Sequence, residues 1–412
     1  MKESKIEDME THEHGELVAG LDIGTTKICA VIGEVFGERI EVIGVGTAAS
    51  SGMRKGVVVN IEATVKAVRE AVEQAENMAG CEIDTVFVGI AGNHIKGFNS
   101  PGILAINNQE IKQKDIDAVI QAAQTVKISD NQRIIHVLPQ EYMVDDHTGI
   151  QNPLGMTGVR LVTNVHIVTA DNTSLHNLLV SCNRGGLEVD EIVLESVASA
   201  RTVLSRDEEE LGVVLIDIGG GTTDLAVFCN GTIKHTWELA LGGNSLTSDL
   251  SVGLRTPMQE AEKLKYMYGS ALSSMVKDNY VVEVPTVGDR KPRKVSQRVM
   301  VEILEARMEE ILQLVNKEIN GSGYRSRLNA GVVITGGSAL LANVVEMAEQ
   351  IFDMPVRIGY PRGIEGRMDE VNSPRCTTAV GLLMYGSQAV RSKARRSTGV
   401  IKTIKDIVKN IV

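Results

Sequence analysis

Two stretches decide the fold: "LIDIGGGTTDLAVF", Leu215 to Phe228, reads as a rewritten copy of "GLDIGTTKICAVIG", Gly20 to Gly33. Each is an apolar run of strand character that ends in Asp, an apolar residue, Gly and a pair of threonines. The two aspartates, Asp22 and Asp217, lie about 195 residues apart, roughly the length of one domain. A duplicated α/β fold follows, in which each copy donates half of one site.

A glycine-rich turn after a strand lets backbone N–H groups approach an anion closely, because no Cβ blocks the way. Gly24, Thr25, Thr26 and Lys27 are candidates to hold one side of a polyphosphate, and Gly219, Gly220, Gly221, Thr222 and Thr223 the other. Neither turn is a Walker A sequence, since the Gly-Lys-Ser/Thr ending is missing, and either alone would also serve as a tight strand turn. The pair says more. Two unpaired carboxylates facing each other at strand ends are costly unless a divalent cation and its waters lie between them. Asp22 and Asp217 therefore point to Mg²⁺ on nucleotide phosphates, the alternative being that each caps its own turn. A third glycine pair, Gly336 and Gly337 followed by Ser338, would let backbone lie against a base or ribose, or forms an ordinary strand-to-helix turn. Glu262 and Lys265, three apart on a helix, are candidates for a ribose or adenine clamp and equally for a surface pair.

The composition sets bounds on this reading. A chain of 412 residues, 43% hydrophobic and 23% charged, is long enough for two folded lobes. A formal net charge of −11 leaves no basic surplus to neutralise phosphates along a duplex, which argues against nucleic-acid binding. The cysteines Cys29, Cys81, Cys182, Cys229 and Cys376 are widely spaced without CxxC pairs, which suits reduced thiols in a cytosol better than zinc or disulfides. Residues 1–16 lack an apolar h-region and are expected to be a disordered leader.

Along the chain, Ile61, Val65, Val68, Ala71 and Val72 recur near helical spacing up to a C-capping Gly80. A mixed α/β detour over residues 84–166 is expected to be an inserted subdomain, leaving residues 17–83 and 167–211 as the first lobe's core. The second core would be 212–243 and 321–390, with a mainly helical subdomain at 244–320 and a polar, basic linker at 391–399. Within the helical part, the basic stretch "EVPTVGDRKPRKVS" is expected to be a solvated hairpin or loop.

Residues 400–412 have their own periodicity. At helical angles, Val400, Ile401, Ile404, Ile407, Val408, Ile411 and Val412 fall on an arc of about 140°, with Lys402, Lys405 and Lys409 along one edge. Such a helix would span roughly 20 Å, too short to cross a bilayer. It is expected to lie at an anionic membrane surface, the alternative being a helix docked on the second lobe.

The paired turns, the later Gly-Gly motif and the segments "ESVASA" and "SPRCTTAVGLLMYG" resemble the actin, Hsp70 and sugar-kinase superfamily over nearly the entire chain. Within it, "GMRKGVVVNIE", "RIIHVLPQEYMVDD" and "NPLGMTGVRL" are similar to signatures of FtsA, a family of bacterial cell-division proteins. The resemblance implies an α/β, actin-like two-lobed ATPase fold of duplicated ribonuclease-H-like domains, with an FtsA-type insertion and an interlobe ATP site. It implies that Asp22 and Asp217 order Mg²⁺ through water. It also implies that Glu195 positions an attacking water, with slow hydrolysis at most, although Glu195 would equally complement a helix dipole. It further implies filaments at the division site, on the cytoplasmic membrane face. There they would tether FtsZ, whose C-terminal peptide would dock on 244–320, where Arg298, Arg307 and Lys317 are basic positions. Later division proteins would meet the inserted subdomain. The rivals are a pilus-assembly relative, which the basic amphipathic tail disfavours, and a sugar kinase, whose catalytic base and sugar cleft leave no pattern here.

Overall fold

β1 (Glu16–Ile23), β2 (Lys27–Phe36) and β3 (Arg39–Ala49) form an antiparallel meander that places Asp22 opposite Cys29. The structure, a computed structural model, describes residues 15–107, 110–277, 280–288 and 291–397. Helix α1 (Ile61–Ala79) starts where the Asn60 side chain accepts from the Ala63 N–H and stops at Gly80, whose φ of 73° suits a residue without Cβ. Its buried stripe Val65, Val68, Ala71, Val72 covers the sheet.

β4 (Thr85–Ile90) runs parallel to β1, with Gly20 beside Phe87. The insertion therefore begins after β4 and not at residue 84. A continuously buried run such as Val86–Ile90 fits a central parallel strand covered on both faces, and the first lobe's sheet supplies that cover. The insertion itself is a sheet of β5 (Lys96–Ala105), β6 (Gln132–Val144), β7 (His147–Ile150) and β8 (Arg160–Asp171). Helix α2 (Gln113–Ala123) packs against it over a small core of its own. β8 belongs to this sheet along its length, so the insertion also runs past residue 166. Buried hydrogen bonds fasten it to the second lobe. His166, held within the insertion by Asn99 at 2.8 Å, bonds to Thr236 at 2.9 Å, and Gln140 donates to the carbonyl of Ile233 at 2.8 Å.

Helix α3 (Asn172–Gly185) and strand β9 (Glu188–Leu194) return the chain to the first lobe, giving the order β9-β4-β1-β2-β3, to which the short strand Glu365–Gly366 adds beside β3. Helix α4 (Glu195–Val203) then leads to the second sheet: β10 (Val213–Ile218), β11 (Thr223–Cys229), β12 (Thr232–Leu239), β13 (Gly331–Thr335) and β14 (Val356–Ile358). Its order, β12-β11-β10-β13-β14, repeats the first: an antiparallel meander flanked on its opening strand by two parallel strands. The copied motif thus marks a copied topology. Residues 243–321 supply the helices Gly243–Leu254, Met258–Tyr268 and Gln297–Gly321, and the basic stretch between the last two forms the hairpin Val281–Val284 with Arg293–Ser296. Arg307, one of the three basic positions picked from the sequence, is already paired with Asp249 and Glu310.

The largest departure from expectation is helix α9, Thr377–Ser397. (The label follows the second lobe's helices: α5 for Gly243–Leu254, α6 for Met258–Tyr268, α7 for Gln297–Gly321 and α8 for Val344–Phe352.) Expected within the second core, it packs instead on α4, β1 and β2 of the first lobe, burying Ala379, Val380, Leu382 and Leu383. Close approach explains the choice, because a Cβ on Gly381 would overlap the carbonyl oxygen of Ala198 on α4. Gly381→Val is accordingly expected to cost about 3 kcal/mol in urea unfolding, in line with overpacked cores. An unchanged midpoint would show that this contact relaxes freely. Residues 391–397, expected as a linker, continue α9, since Arg, Lys and Ala are good helix formers.

Glu16, placed in the leader by the sequence, opens β1; the rest of that leader up to residue 14 lies outside the described residues. So do Val400, Ile401, Ile404, Lys405, Ile407, Val408 and Ile411 of the expected membrane face. Among the described residues, no helix is long and apolar enough to cross a membrane.

Candidate functional site

Because the two sheets are built alike, the ends of β1 and β10 bring Asp22 and Asp217 to one cavity of about 380 Å³ between the lobes. The turns after them form its floor. In the second turn, the Gly219 N–H donates to the Thr222 carbonyl at 3.0 Å, while Gly243 and Asn244 donate to Gly219 and Gly220 at 2.9 and 2.7 Å. In the first, the Thr25 hydroxyl accepts from the Gly56 N–H at 3.2 Å, and Thr26 donates across the cleft to Asn244 at 3.4 Å. The turns meet closely: a Cβ on Gly220 would overlap the Thr26 hydroxyl, and one on Gly221 the side chain of Thr25. Gly336, at φ +87°, is in the left-handed region, and a Cβ there would strike the Asp217 carboxylate.

The acidic side chains are the cavity's chief electrostatic feature. Asp22, Asp217 and Asp224 are 7%, 5% and 2% exposed. Burial pushes Asp22 up to about 7 despite the neighbouring Lys27 ammonium, with Asp217 and Cys376 adding to the rise. Burial also raises Asp217, although one of its oxygens accepts from Ser199 at 2.8 Å and from Thr378 at 3.3 Å. Asp224 is pushed well up by burial and then by Asp217; it accepts from Thr222 at 3.1 Å, and its other oxygen has no partner among the described residues. Glu195, the first residue of α4, is raised well above the carboxylate range by burial and then by Asp22, Asp224 and Asp217.

On the second lobe's side, Lys265 pairs with Glu262 at 2.8 Å and also donates to the Gly243 carbonyl at 3.1 Å and to Thr247 at 2.8 Å. That network turns the pair toward the cavity, which both residues line with Gly336, Gly337 and Ser338. Thr223 is the exception among the predicted residues. Fully buried, it donates to the Leu241 carbonyl at 2.9 Å and does not line the cavity. Strand alternation explains this, since Thr222 and Asp224 share the face that Thr223 leaves. The same alternation was the signal that would have found Asp224. Tyr266, four residues after Glu262 on α6, also lines the cavity, and helical spacing from Glu262 would have suggested it. Asn244, Arg375 and Thr378 line it too, without a local pattern to announce them.

A family model described as "Cell division protein FtsA" matches residues 214–381, and one described as "SHS2 domain inserted in FTSA" matches residues 92–169. The cell division protein FtsA of Pseudomonas aeruginosa is 48% identical over 381 residues, covering 92% of this chain and 91% of its own. This chain belongs to the FtsA family. The FtsA of Neisseria meningitidis is 47% identical over 368 residues, 89% of each chain. It is thus an actin-like cell division protein, and the span of the SHS2 match agrees with an insertion that begins after β4 and includes most of β8. Solved structures support the fold at low identity. A chain of the PilM-PilN type IV pilus biogenesis complex aligns with a TM-score of 0.63 at 14% identity, covering 90% of this chain and 98% of that one. MreB5 of Spiroplasma citri bound to AMPPNP aligns at 0.52 with 15% identity, covering 93% and 99%.

Proposed function

We propose that this FtsA-family chain binds ATP with Mg²⁺ in the interlobe cavity and assembles into filaments on the cytoplasmic membrane face, where it anchors the FtsZ ring at the division site. The observation that carries the nucleotide half is the set of buried acidic groups between two phosphate-type turns. Asp22, Asp224 and Glu195 are each raised by burial and by the Asp217 charge around one cavity, and one Asp224 oxygen has no partner among the described residues. Such a set is costly without added positive charge. No group of three or more His, Cys, Asp or Glu among the described residues could hold a metal ion by itself. A cation here fits best as one carried in on phosphates, with Asp22 and Asp217 acting through its waters.

Bound Mg²⁺ would supply charge against the phosphates and carboxylates. The rest falls to the chain. Backbone N–H groups of Gly24–Lys27 and Gly220–Thr222 orient the phosphates across the turn that the Gly219 N–H closes, Glu262 and Lys265 the ribose, and Gly336–Ser338 lie against the base. Glu195, whose carboxyl is raised by burial and then by Asp22, Asp224 and Asp217, orients a water, a role that fits phosphoryl transfer governed mainly by geometry, and hydrolysis is slow at most. The MreB5 structure bound to AMPPNP supports the nucleotide assignment by likeness of fold.

The membrane half rests on family membership and on the amphipathic pattern of residues 400–412. Partial burial of its aliphatic side chains at roughly 1 kcal/mol each would hold single chains reversibly, and filaments by avidity. The FtsZ peptide would dock on residues 244–320 and later division proteins on the insertion. The test is co-sedimentation with anionic vesicles and ATP, comparing the full chain with one ending at Gly399, each with and without FtsZ. The full chain should pellet and carry FtsZ down, and the shortened chain should do neither. Equal vesicle binding by both would sink the membrane reading while leaving the nucleotide site intact.

A further inference from the structure

Glu195 lines two cavities: the one between the lobes, and a second of about 10 Å³ inside the first lobe, with room for about one water. The walls of this small chamber come from the ends of β1 and β4, from helix α3 and from the short hairpin of Met53–Arg54 with Val57–Val58. Most of the wall is apolar, Ile23, Met53, Val58 and Leu178 included, and the polar side chains that line it are Glu195, Ser174 and His94.

The neck of the insertion puts His94 there. Between β4 and β5 the chain turns at Gly92, whose φ of +125° suits a residue without Cβ, and the Ile95 N–H closes the turn on the Gly92 carbonyl at 3.0 Å. Ile95 is buried in the first lobe's core and anchors the turn. A Cβ on Gly92 would lie 3.0 Å from Nδ1 of His94, so the ring is laid against bare backbone. Glu195 is placed as closely, since a Cβ on Gly89 would lie 3.0 Å from its Cγ and 3.3 Å from its Oε1.

Both ring nitrogens of His94 are buried, and neither has a hydrogen-bond partner among the described residues. A neutral imidazole carries one donor and one acceptor, and burying both unpaired is costly. Burial lowers the His94 pKa against the opposing charge of Asp171, so at neutral pH the ring holds this neutral form. The Ser174 hydroxyl is committed to Asp171, to which it donates at 3.4 Å, and the Glu195 carboxyl is the polar group that remains on the wall. We propose that one water held in this chamber bridges the His94 imidazole to the Glu195 carboxyl and makes His94 a positioning residue for ATP hydrolysis, a role that rests on the water-orienting reading of Glu195. A bridge from the chamber side fixes the torsions of a long carboxylate side chain that would otherwise sample several rotamers, and phosphoryl transfer depends on that geometry.

The test follows single-turnover hydrolysis of Mg-ATP by the full chain, together with spectra of the chain labelled with nitrogen-15 at histidine. His94→Leu should slow hydrolysis on the order of tenfold, while ATP affinity, read with a fluorescent analogue, stays within about twofold. His94→Gln, which restores a donor and an acceptor, should recover most of the rate. In the ligand-free chain, Glu195→Gln should move the His94 ring-nitrogen resonances, because the bridging water then meets an amide. Resonances that stay in place, or a His94→Leu chain that hydrolyses ATP as fast as His94→Gln, overturn the proposal. Hydrolysis at the wild-type rate by Glu195→Gln would instead refute the water-orienting reading and with it the positioning role, and the resonance shift alone then decides the bridge.

Discussion

A chain carrying Gly221→Val is expected to bind ATP at least about 100-fold more weakly than the wild type, a loss of roughly 2.7 kcal/mol, while keeping its fold. The two turns touch where phosphates must be gripped from both sides, and a Cβ at residue 221 would meet Thr25 of the opposite lobe. A branched side chain there wedges the turns apart and covers N–H groups that only an absent Cβ leaves open. The strands on either side, Val213–Ile218 and Thr223–Cys229, are buried independently of that contact, so thermal unfolding should shift by no more than a few degrees. Thr25→Gly in the same chain should recover part of the affinity. Titration with a fluorescent ATP analogue and a melting curve read both quantities, and near-normal affinity in the single variant would mean that phosphates do not lie between these turns.

Asp22→Asn should act in opposite directions on stability and binding. In the ligand-free chain, the Asp22 carboxyl titrates near 7 when folded against 3.8 as an isolated side chain. A raised carboxylate makes the folded state bind more protons than the unfolded state between those values, so its contribution to stability falls as pH rises through that window. Above about pH 7 the whole penalty is present. At roughly 1.4 kcal/mol per pKa unit, and with the charge shared among neighbours, the variant should be about 2–4 kcal/mol more stable at pH 8 and nearly unchanged at pH 4. Buried His136 and His166 pull the other way. Burial lowers them to about 4 and about 3, so their contribution is lost as pH falls below the ordinary histidine range. Subtracting the wild-type profile from that of Asp22→Asn cancels the histidines, which the substitution leaves in place. With Mg-ATP present the order should reverse, the wild type gaining more stability than the variant. A variant that shows no stability increment at pH 8 would mean that Asp22 is solvated or already neutralised in the ligand-free chain.

The sequence displayed the site better than it displayed the packing around it. Asp22, Asp217 and the glycine turns were legible because a turn that admits an anion needs particular residues at particular offsets, and the chain wrote that requirement twice. Asp224 was passed over because a strand face is defined only relative to a neighbour, here Thr222. The start of the insertion was misplaced because Val86–Ile90 is equally apolar whichever sheet it joins; its partners β1 and β9 come from residues far away in the chain. Helix α9 was misassigned for the same kind of reason. The stripe of Ala379, Val380, Leu382 and Leu383 shows that a face is buried, but the fit of Gly381 to the Ala198 carbonyl decides against what.

Helix α9 also has a mechanical meaning. Its 21 residues make a rod of roughly 30 Å whose beginning is bonded, through Thr378, to Asp217 of the second lobe, and which is bedded on the first through residues as far as Val390. A force applied beyond Ser397 would enter the molecule along that axis, as shear over a packed helix rather than as the peeling of an edge strand. Tension at the C-terminal end would reach both sides of the cleft at once, and the bond between Thr378 and Asp217 is where it would be felt.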